Sequence, residues 1–393
     1  MLWPRPSRSS SSSMCGLSYR VKHEYGGLVM TVAIMVAYLQ VPGLFAQTQQ
    51  IGKTARSGQQ LYQAACAACH GSDGRGAAQA MTGLETPLPD FTDCRFASRE
   101  PSADWIAVVH QGGPARGFSE MMPAFGEALS QEEIEKVVAY VHSFCSDRSW
   151  PRGELNLPRP LVTEKAFPED EAVLTTSVAM EGPGSVTNDF LYERRFGARN
   201  QIEVNVPVNA VQVENGGWRG GVGDITFEYK RVLFHSLQSI FSVGGEVTLP
   251  TGNKNHGLGK GFTVFEPYIA LGQVLPSDGF FHFQGGMELP TDNVRGAKEA
   301  FWRTAVGRTF AQQKGFGRSW SPMLEVLGAR ELKTGTNVEW GLVPQMQISL
   351  STRQHLLLGV GVHIPVNNAG PRQTQLMFYL LWDWFDGGLR DGW

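Results

Sequence analysis

Residues Gln201-Ile-Glu-Val-Asn-Val-Pro-Val-Asn209 alternate polar and apolar side chains without an error. A period of two belongs to a strand with one face in an apolar medium and the other in a polar one. The pattern returns in Asp224-Ile-Thr-Phe-Glu-Tyr-Lys230, over Glu339 to Leu350, and along Leu356, Leu358, Val360, Val362, Ile364 and Val366. Turn signals separate the runs: Asn215-Gly-Gly217, Thr251-Gly-Asn253, Ser277-Asp-Gly279, Thr334-Gly335 and Asn368-Ala-Gly370.

Extending outward from that stretch, twelve strands are predicted: 172–180, 188–196, 200–213, 220–234, 238–250, 261–275, 279–291, 299–312, 319–332, 337–350, 354–366 and 372–385. An even number of strands, each about long enough to cross a bilayer at a tilt, predicts an antiparallel transmembrane β-barrel over 172–393. Trp302, Trp320, Trp340, Trp382 and Trp384 fall near strand ends, where interfacial girdles sit. The last residue, Trp393, resembles the terminal assembly signal of outer-membrane barrels, although Asp386-Gly-Gly388 interrupts that segment. A secreted soluble sandwich would alternate in the same way, but about 215 residues of long hairpins exceed what most sandwiches need.

The chain has 393 residues, with 34 Lys+Arg against 37 Asp+Glu. That balance gives no general basic field, so nucleic acid is not an expected partner. Residues 1–46 read as a signal peptide. Arg20 and Lys22 supply the charge, Leu28 to Leu39 the apolar stretch, and Leu44-Phe45-Ala46 a cleavage site before Gln47. Cys15 would leave with it, so four cysteines remain: Cys66, Cys69, Cys94 and Cys145. An even number suits an oxidising compartment.

Cys66-Ala-Ala-Cys69-His70 is the C-x-x-C-H run of c-type haem attachment. Two thiols one helical turn apart can form thioethers to one porphyrin, and the adjacent His then meets the iron from the proximal side. No βαβ pattern supports thioredoxin-like use, and Cys94 and Cys145 are not spaced as a second zinc-ligand pair. The expected cofactor is one covalent haem c. A distal ligand is sought downstream, where Gly117 to Gly126 carries Met121 and Met122-Pro123. A thioether favours Fe(II) and raises the potential.

On these residues, 53–146 resembles a class I cytochrome c. In that family the distal Met usually sits in a Met-Pro pair, which maps onto Met122, so His70 and Met122 are the implied iron ligands. The resemblance also implies that the first and last helices cross, and that a Pro carbonyl, of Pro87 or Pro89, meets the proximal His. Helices are predicted at 55–68 and from Pro101 to His110. A third follows the capping box Ser130-x-x-Glu133, with Ile134, Val137, Val138, Val141 and Phe144 on one face. The glycines at 71, 74 and 76 read as backbone approaching the haem edge. With the haem cysteines assigned, a Cys94–Cys145 disulfide is expected, two free buried thiols being the alternative.

The domain plan is therefore a signal peptide (1–46), an all-α cytochrome c domain (47–147), a Pro-rich linker (148–171) and an outer-membrane barrel (172–393). Pro151, Pro158, Pro160 and Pro168 with scattered charges mark the linker, or an extended segment laid along a surface. The barrel half also resembles, more loosely, outer-membrane proteins associated with meta-cleavage phenol degradation. That rests on Gly-Gly-Val-Gly-Asp (220–224), Val-Thr-Leu-Pro-Thr-Gly (247–252) and Met-Glu-Leu-Pro-Thr (287–291). His355 and His363 share a polar row, a weak candidate for a metal pair.

Three functions follow. The first is a non-enzymatic electron carrier on the periplasmic side of the outer membrane, docking periplasmic redox proteins. Its domain 47–150 has 8 Lys+Arg and 12 Asp+Glu, which suits a basic docking patch. The second is an Fe(II) oxidase, since fused cytochrome–porins of iron-oxidising bacteria are similar in domain order; a metal-ion donor would then reach the haem. The third is a small-molecule porin with a redox-sensing cytochrome. A twelve-strand lumen is too narrow to hold a domain of about 13 Å radius of gyration.

Overall fold

The computed structural model describes residues 56–78, 83, 88–116, 118–213, 217–311, 318–351, 355–369 and 373–383. The expected signal peptide, Pro87, Trp384 and Trp393 lie outside the described residues.

The N-terminal part is helical: α1 (Gly58–Ala65), α2 (Ala67–His70), α3 (Cys94–Ala97), α4 (Ser102–Gln111) and α5 (Gln131–His142). Both long-range partners start on capping boxes, Ser57 with Gln60 and Ser130 with Glu133, which satisfy the first free N–H groups of α1 and α5. The two helices then cross in backbone contact. A Cβ on Gly58 would lie 2.0 Å from the Lys136 carbonyl oxygen, so the approach requires glycine. Leu61 and Tyr62 from α1 pack with Ile134, Val137, Val138 and Val141 from α5 and with Phe91 and Leu129. Cys94 is joined to Cys145 by a disulfide with Cα atoms 5.0 Å apart, pinning α3 to the chain just beyond α5.

The second part is one antiparallel sheet: β1 (Glu171–Ala179), β2 (Ser185–Phe196), β3 (Asn200–Gln212), β4 (Trp218–Val222), β5 (Ile225–His235), β6 (Ser239–Leu249), β7 (Val264–Leu275), β8 (Gly279–Pro290), β9 (Glu299–Arg308), β10 (Phe310–Ala311), β11 (Ser319–Glu331), β12 (Glu339–Ser349), β13 (Leu356–Pro365) and β14 (Gln375–Asp383). β1 pairs with β14 and β11 with β9, so the sheet closes on itself. β4 and β5 both pair with β3 and form one stave, broken at Gly223-Asp224, as β9 and β10 form another, broken at Thr309. The barrel therefore has twelve staves, as the alternation predicts. The break at Asp224 has a use: its carboxylate accepts from the N–H groups of Gly252 and Lys260, holding the β6–β7 loop.

The alternation is inverted relative to a soluble barrel. Outward positions carry Phe190, Tyr192, Ile202, Phe227, Tyr229, Phe265, Ile269, Leu324, Val360 and Phe378, all exposed, while Glu193, Gln201, Lys230, His282, Gln284 and Glu325 point inward and are buried. An apolar outside around a polar inside is the signature of a barrel in lipid. Trp320 and Trp382 stand outward near one rim, and Trp302 and Trp340 meet edge-on, 5.6 Å apart, near the other. One mouth carries the brief turns between β2 and β3, β5 and β6, and β7 and β8, together with the start of β1 and end of β14; the other carries the longer β6–β7, β8–β9 and β13–β14 loops.

The Pro-rich segment, read from the sequence as a linker or an extended segment laid along a surface, is laid along the inner wall of the barrel. It joins the two parts, but from Leu155 to Asp170 it runs inside the barrel. Arg159 Nη1 reaches Glu171 in β1 and Glu193 in β2. Glu169 N donates to Gln201 in β3, Lys230 in β5 donates to Glu164, and Ser242 in β6 donates to the Ala166 carbonyl. His282 in β8 meets the Pro158 carbonyl, and Glu325 in β11 accepts from the N–H groups of Val162 and Thr163. Gln345 and Gln347 in β12 accept from Leu161 and Arg159, and Tyr379 in β14 donates to the Arg159 carbonyl. A short segment can touch opposite walls of a closed barrel only from within. The physical reason is legible afterwards: prolines bring no N–H that the lumen must satisfy, and the scattered charges are counter-ions to the wall.

Candidate functional site

The C-x-x-C-H run lies where α1 gives way to α2. Cys66 ends α1, its N–H bonding back to the Tyr62 carbonyl, and also caps α2, so the chain re-enters a helix before Cys69 and His70. Both thiols are unbridged, Cys66 half-buried and Cys69 exposed, while Cys94 and Cys145 are bonded to each other. Burial, and then the neighbouring Cys69, push the Cys66 thiol up to about 11. Tyr62, fully buried, donates to the Gly71 carbonyl at 2.8 Å and so ties α1 to the end of the motif. Gly71, Gly74 and Gly76 have φ of +75°, +79° and +78°, the left-handed backbone that turns the chain away from α2.

The His70 ring stacks on Phe91 with centroids 4.9 Å apart, and Phe91 meets Trp105 of α4 edge-on at 5.7 Å. Burial pulls the His70 pKa down, which keeps the imidazole neutral and its nitrogens available as ligands. His70 Nδ1 is buried with no hydrogen-bond partner among the described residues. Pro87 lies outside the described residues, and the half-buried Pro89 gives His70 Nδ1 no hydrogen bond among the described residues. Trp105 Nε1 is also buried, with no acceptor among the described residues.

Met122 sits on the loop that folds back along the end of α4. Its carbonyl accepts from Gly113 N at 3.0 Å, and Phe125 N donates to the Val109 carbonyl at 2.9 Å. Met122 is half-buried and Met121 is 67% exposed. His70 and Met122 are thus linked to the same helix, the first through Phe91 and Trp105, the second through the α4 C-terminus. Two free thiols a turn apart, a neutral histidine with an open nitrogen and a buried indole N–H fit a covalently held porphyrin with acidic side chains. Phe91 and Trp105 were not singled out in the sequence; single aromatics in a loop and a short helix carry no local signal. His355 and His363 stand eight residues apart on one stave, about 26 Å at strand rise, and cannot share an ion.

The helical part is seated on the short-turn mouth. Arg99, following α3, pairs with Asp170 at 3.2 Å, and Asp170 also accepts from Arg195 N at 3.0 Å. Glu154 accepts from the Ser102 hydroxyl, and Arg152 pairs with Glu154 at 3.2 Å. Trp150 lies under the Arg195 guanidinium, 4.7 Å away, and the Ser149 carbonyl accepts from Arg199 at 3.0 Å. A Cβ on Gly153 would fall 2.2 Å from the Glu100 carbonyl carbon, so the descending segment passes in backbone contact with the helical part.

Fold and site together define a c-type cytochrome domain joined to a twelve-stave transmembrane barrel of the outer-membrane type. Residues 53–141 match the family model for "Cytochrome C oxidase, cbb3-type, subunit III", and residues 184–369 match that for the MetA-pathway of phenol degradation. Among solved structures, the chain is similar to an outer membrane channel from Pseudomonas putida F1, at 14% identity and a TM-score of 0.42, covering 58% of this chain and 100% of that one. It is also similar to the KdgM porin, at 11% identity and 0.37, covering 55% and 99%. The NanC porin matches at 8% identity and 0.39, covering 54% and 98%. No curated protein matches the chain.

Proposed function

We propose that this chain is an electron carrier, with one haem c held covalently by Cys66 and Cys69 and ligated by His70 and Met122, displayed at the mouth of an outer-membrane barrel. The observation that carries the reading is the pair of unbridged thiols beside a buried, unpartnered imidazole nitrogen at the α1–α2 junction. When bound, the haem supplies a one-electron redox centre. The chain's own residues do the rest. Cys66 and Cys69 would hold the group through their thiols, His70 stays neutral for ligation, and Phe91, stacked on the His70 ring and meeting Trp105, shields that ring from water. A thioether from Met122 favours the reduced state. The acidic surface of the domain suits a basic periplasmic partner.

Outer-membrane barrels turn briefly on the periplasmic side and carry long loops outside. Loop lengths therefore support a periplasmic cytochrome domain. The segment inside the lumen weighs against a small-molecule porin. An apolar band about 25 Å tall between the far mouth and the haem weighs against direct oxidation of extracellular Fe(II).

The test is acid–acetone extraction of the purified full chain, followed by its reduced spectrum in alkaline pyridine. Haem retained by the wild type and released from the Cys66→Ala/Cys69→Ala double variant is expected. Haem extracted from the wild type overturns the reading.

A further inference from the structure

The lumen wall carries carboxylates in cross-strand register. Glu193 pairs with Glu203, Glu203 with Glu228, Glu228 with Glu246, and Glu246 with Glu266. The series resumes on the next staves, where Glu288 pairs with Glu299 and Glu299 with Glu331. Because staves tilt in a barrel, a row that follows the hydrogen-bond direction climbs. Glu193 and Glu203 lie near the short-turn ends of β2 and β3, while Glu299 and Glu331 stand at the long-loop ends of β9 and β11. Burial follows the climb. Glu193, Glu203 and Glu228 are 0%, 8% and 5% exposed, Glu246 and Glu266 are half-buried, and Glu331 is exposed.

Like charges directly opposite on paired strands destabilise a sheet, so such a row needs compensation. The lumen's own cations cover part of it. Arg159 pairs with Glu171 and Glu193, Lys230 with Glu164, and Lys260 with Glu288 at 3.3 Å; Arg303 is bonded to Gln284 at 3.1 Å. At the foot of the row, Glu164, Glu169, Glu171, Glu193, Glu203 and Glu228 still outnumber Arg159, Lys165, which pairs with Glu169, and Lys230.

The same place holds an independent observation that points to a ligand. Glu203, more than nine-tenths buried, has Oε2 without a hydrogen-bond partner among the described residues, as has the fully buried Glu193. One carboxylate oxygen each from Glu164, Glu193 and Glu203 lies within 4.8 Å of the others. The buried Oδ1 of Asn205, the next inward residue above Glu203, also lacks a donor among the described residues. An oxygen-only set of this kind selects hard divalent cations, in the manner of Mg²⁺, Ca²⁺ or Mn²⁺, over soft ones.

We propose that the barrel is a divalent-cation binder, its seat formed by Glu164, Glu193 and Glu203 and its approach from the long-loop mouth formed by the glutamate row. One ligand comes from the inserted segment and two from the wall, so the ion would fasten the segment in place. This inference does not depend on haem.

The test is titration of the detergent-solubilised full chain with Mn²⁺, read as loss of the free-ion electron paramagnetic resonance signal. Saturable uptake is expected, weakened at least about tenfold by Glu203→Gln and less by Glu246→Gln on the half-buried part of the row. Glu135→Gln, on the exposed face of α5, should bind as the wild type does. A shift in gel mobility on boiling checks that each barrel is folded, and should Glu203→Gln fail to fold, Glu246→Gln decides alone. No saturable uptake by the wild type, or equal uptake by folded Glu203→Gln or Glu246→Gln variants, overturns the proposal.

Discussion

Arg99 Nη2 and Asp170 Oδ2 stand 3.2 Å apart, with side chains 9% and 0% exposed, and join the helical domain to the last residue of the segment inside the barrel. Asp170 is also held by Arg194 at 3.3 Å and by Arg195 N, so a single carboxylate connects domain, segment and wall.

Removing one member of a buried ion pair costs about 3–5 kcal/mol, because the other charge stays buried. Arg99→Ala should loosen the seat without opening the barrel. Limited proteolysis of the variant should cut between Trp150 and Leu157 and release a soluble helical fragment, where the wild type resists. Equal resistance would mean that the remaining contacts suffice.

The inserted segment makes a prediction about conductance. Its backbone and charges are satisfied by staves on opposite walls, so the wild-type barrel should be closed in planar bilayers. Replacing residues 157–165 by a Gly/Ser run of equal length should give steady ion currents. Wild-type currents of comparable size would contradict the placement.

Cys94 and Cys145 are bonded across a sequence separation of 51. In the chain-entropy model a loop of that size is worth roughly 3–4 kcal/mol. Cys94→Ser should lower the melting transition of the helical domain, seen in the aromatic circular dichroism of Trp105 and its neighbours, while the barrel still shifts on boiling.

Acid should act at Glu154. Burial pushes its carboxyl up, but the Ser102 hydrogen bond and the Arg152 charge outweigh that and hold it below its ordinary value of 4.5. A depressed folded-state pKa gives stability that is complete above the unfolded value and lost as pH falls through the folded one. Hydrogen exchange of residues 150–157, taken relative to the intrinsic amide rate at each pH, should therefore be slow above pH about 4.5 and rise at lower pH. Glu154→Gln should flatten that rise.

Much of this was legible in the sequence, for physical reasons that differ by element. Each stave declares itself because lipid on one side and polar lumen on the other force a period of two, as in Gln201 to Asn209. The capping box Ser130–Glu133 announces α5 because it satisfies local N–H groups. The haem run is local too, since its chemistry needs Cys66, Cys69 and His70 on one turn. What stayed hidden is non-local. The segment around Arg159 has no period because its partners, Glu171, Glu193 and Gln347, lie on staves distant in sequence. The glutamate row depends on register, and no single strand shows that Glu203 faces both Glu193 and Glu228. Phe91 stands on a loop whose course no pattern dictates, and nothing in the pattern of α4 shows that Trp105 meets it.

The most direct test of the whole account is a haem-stained gel of separated periplasmic and outer-membrane fractions, run with and without boiling. The account predicts a haem band in the outer-membrane fraction whose mobility shifts on boiling, because covalent haem and a folded barrel belong to one chain. A haem band in the soluble fraction that does not shift would contradict it.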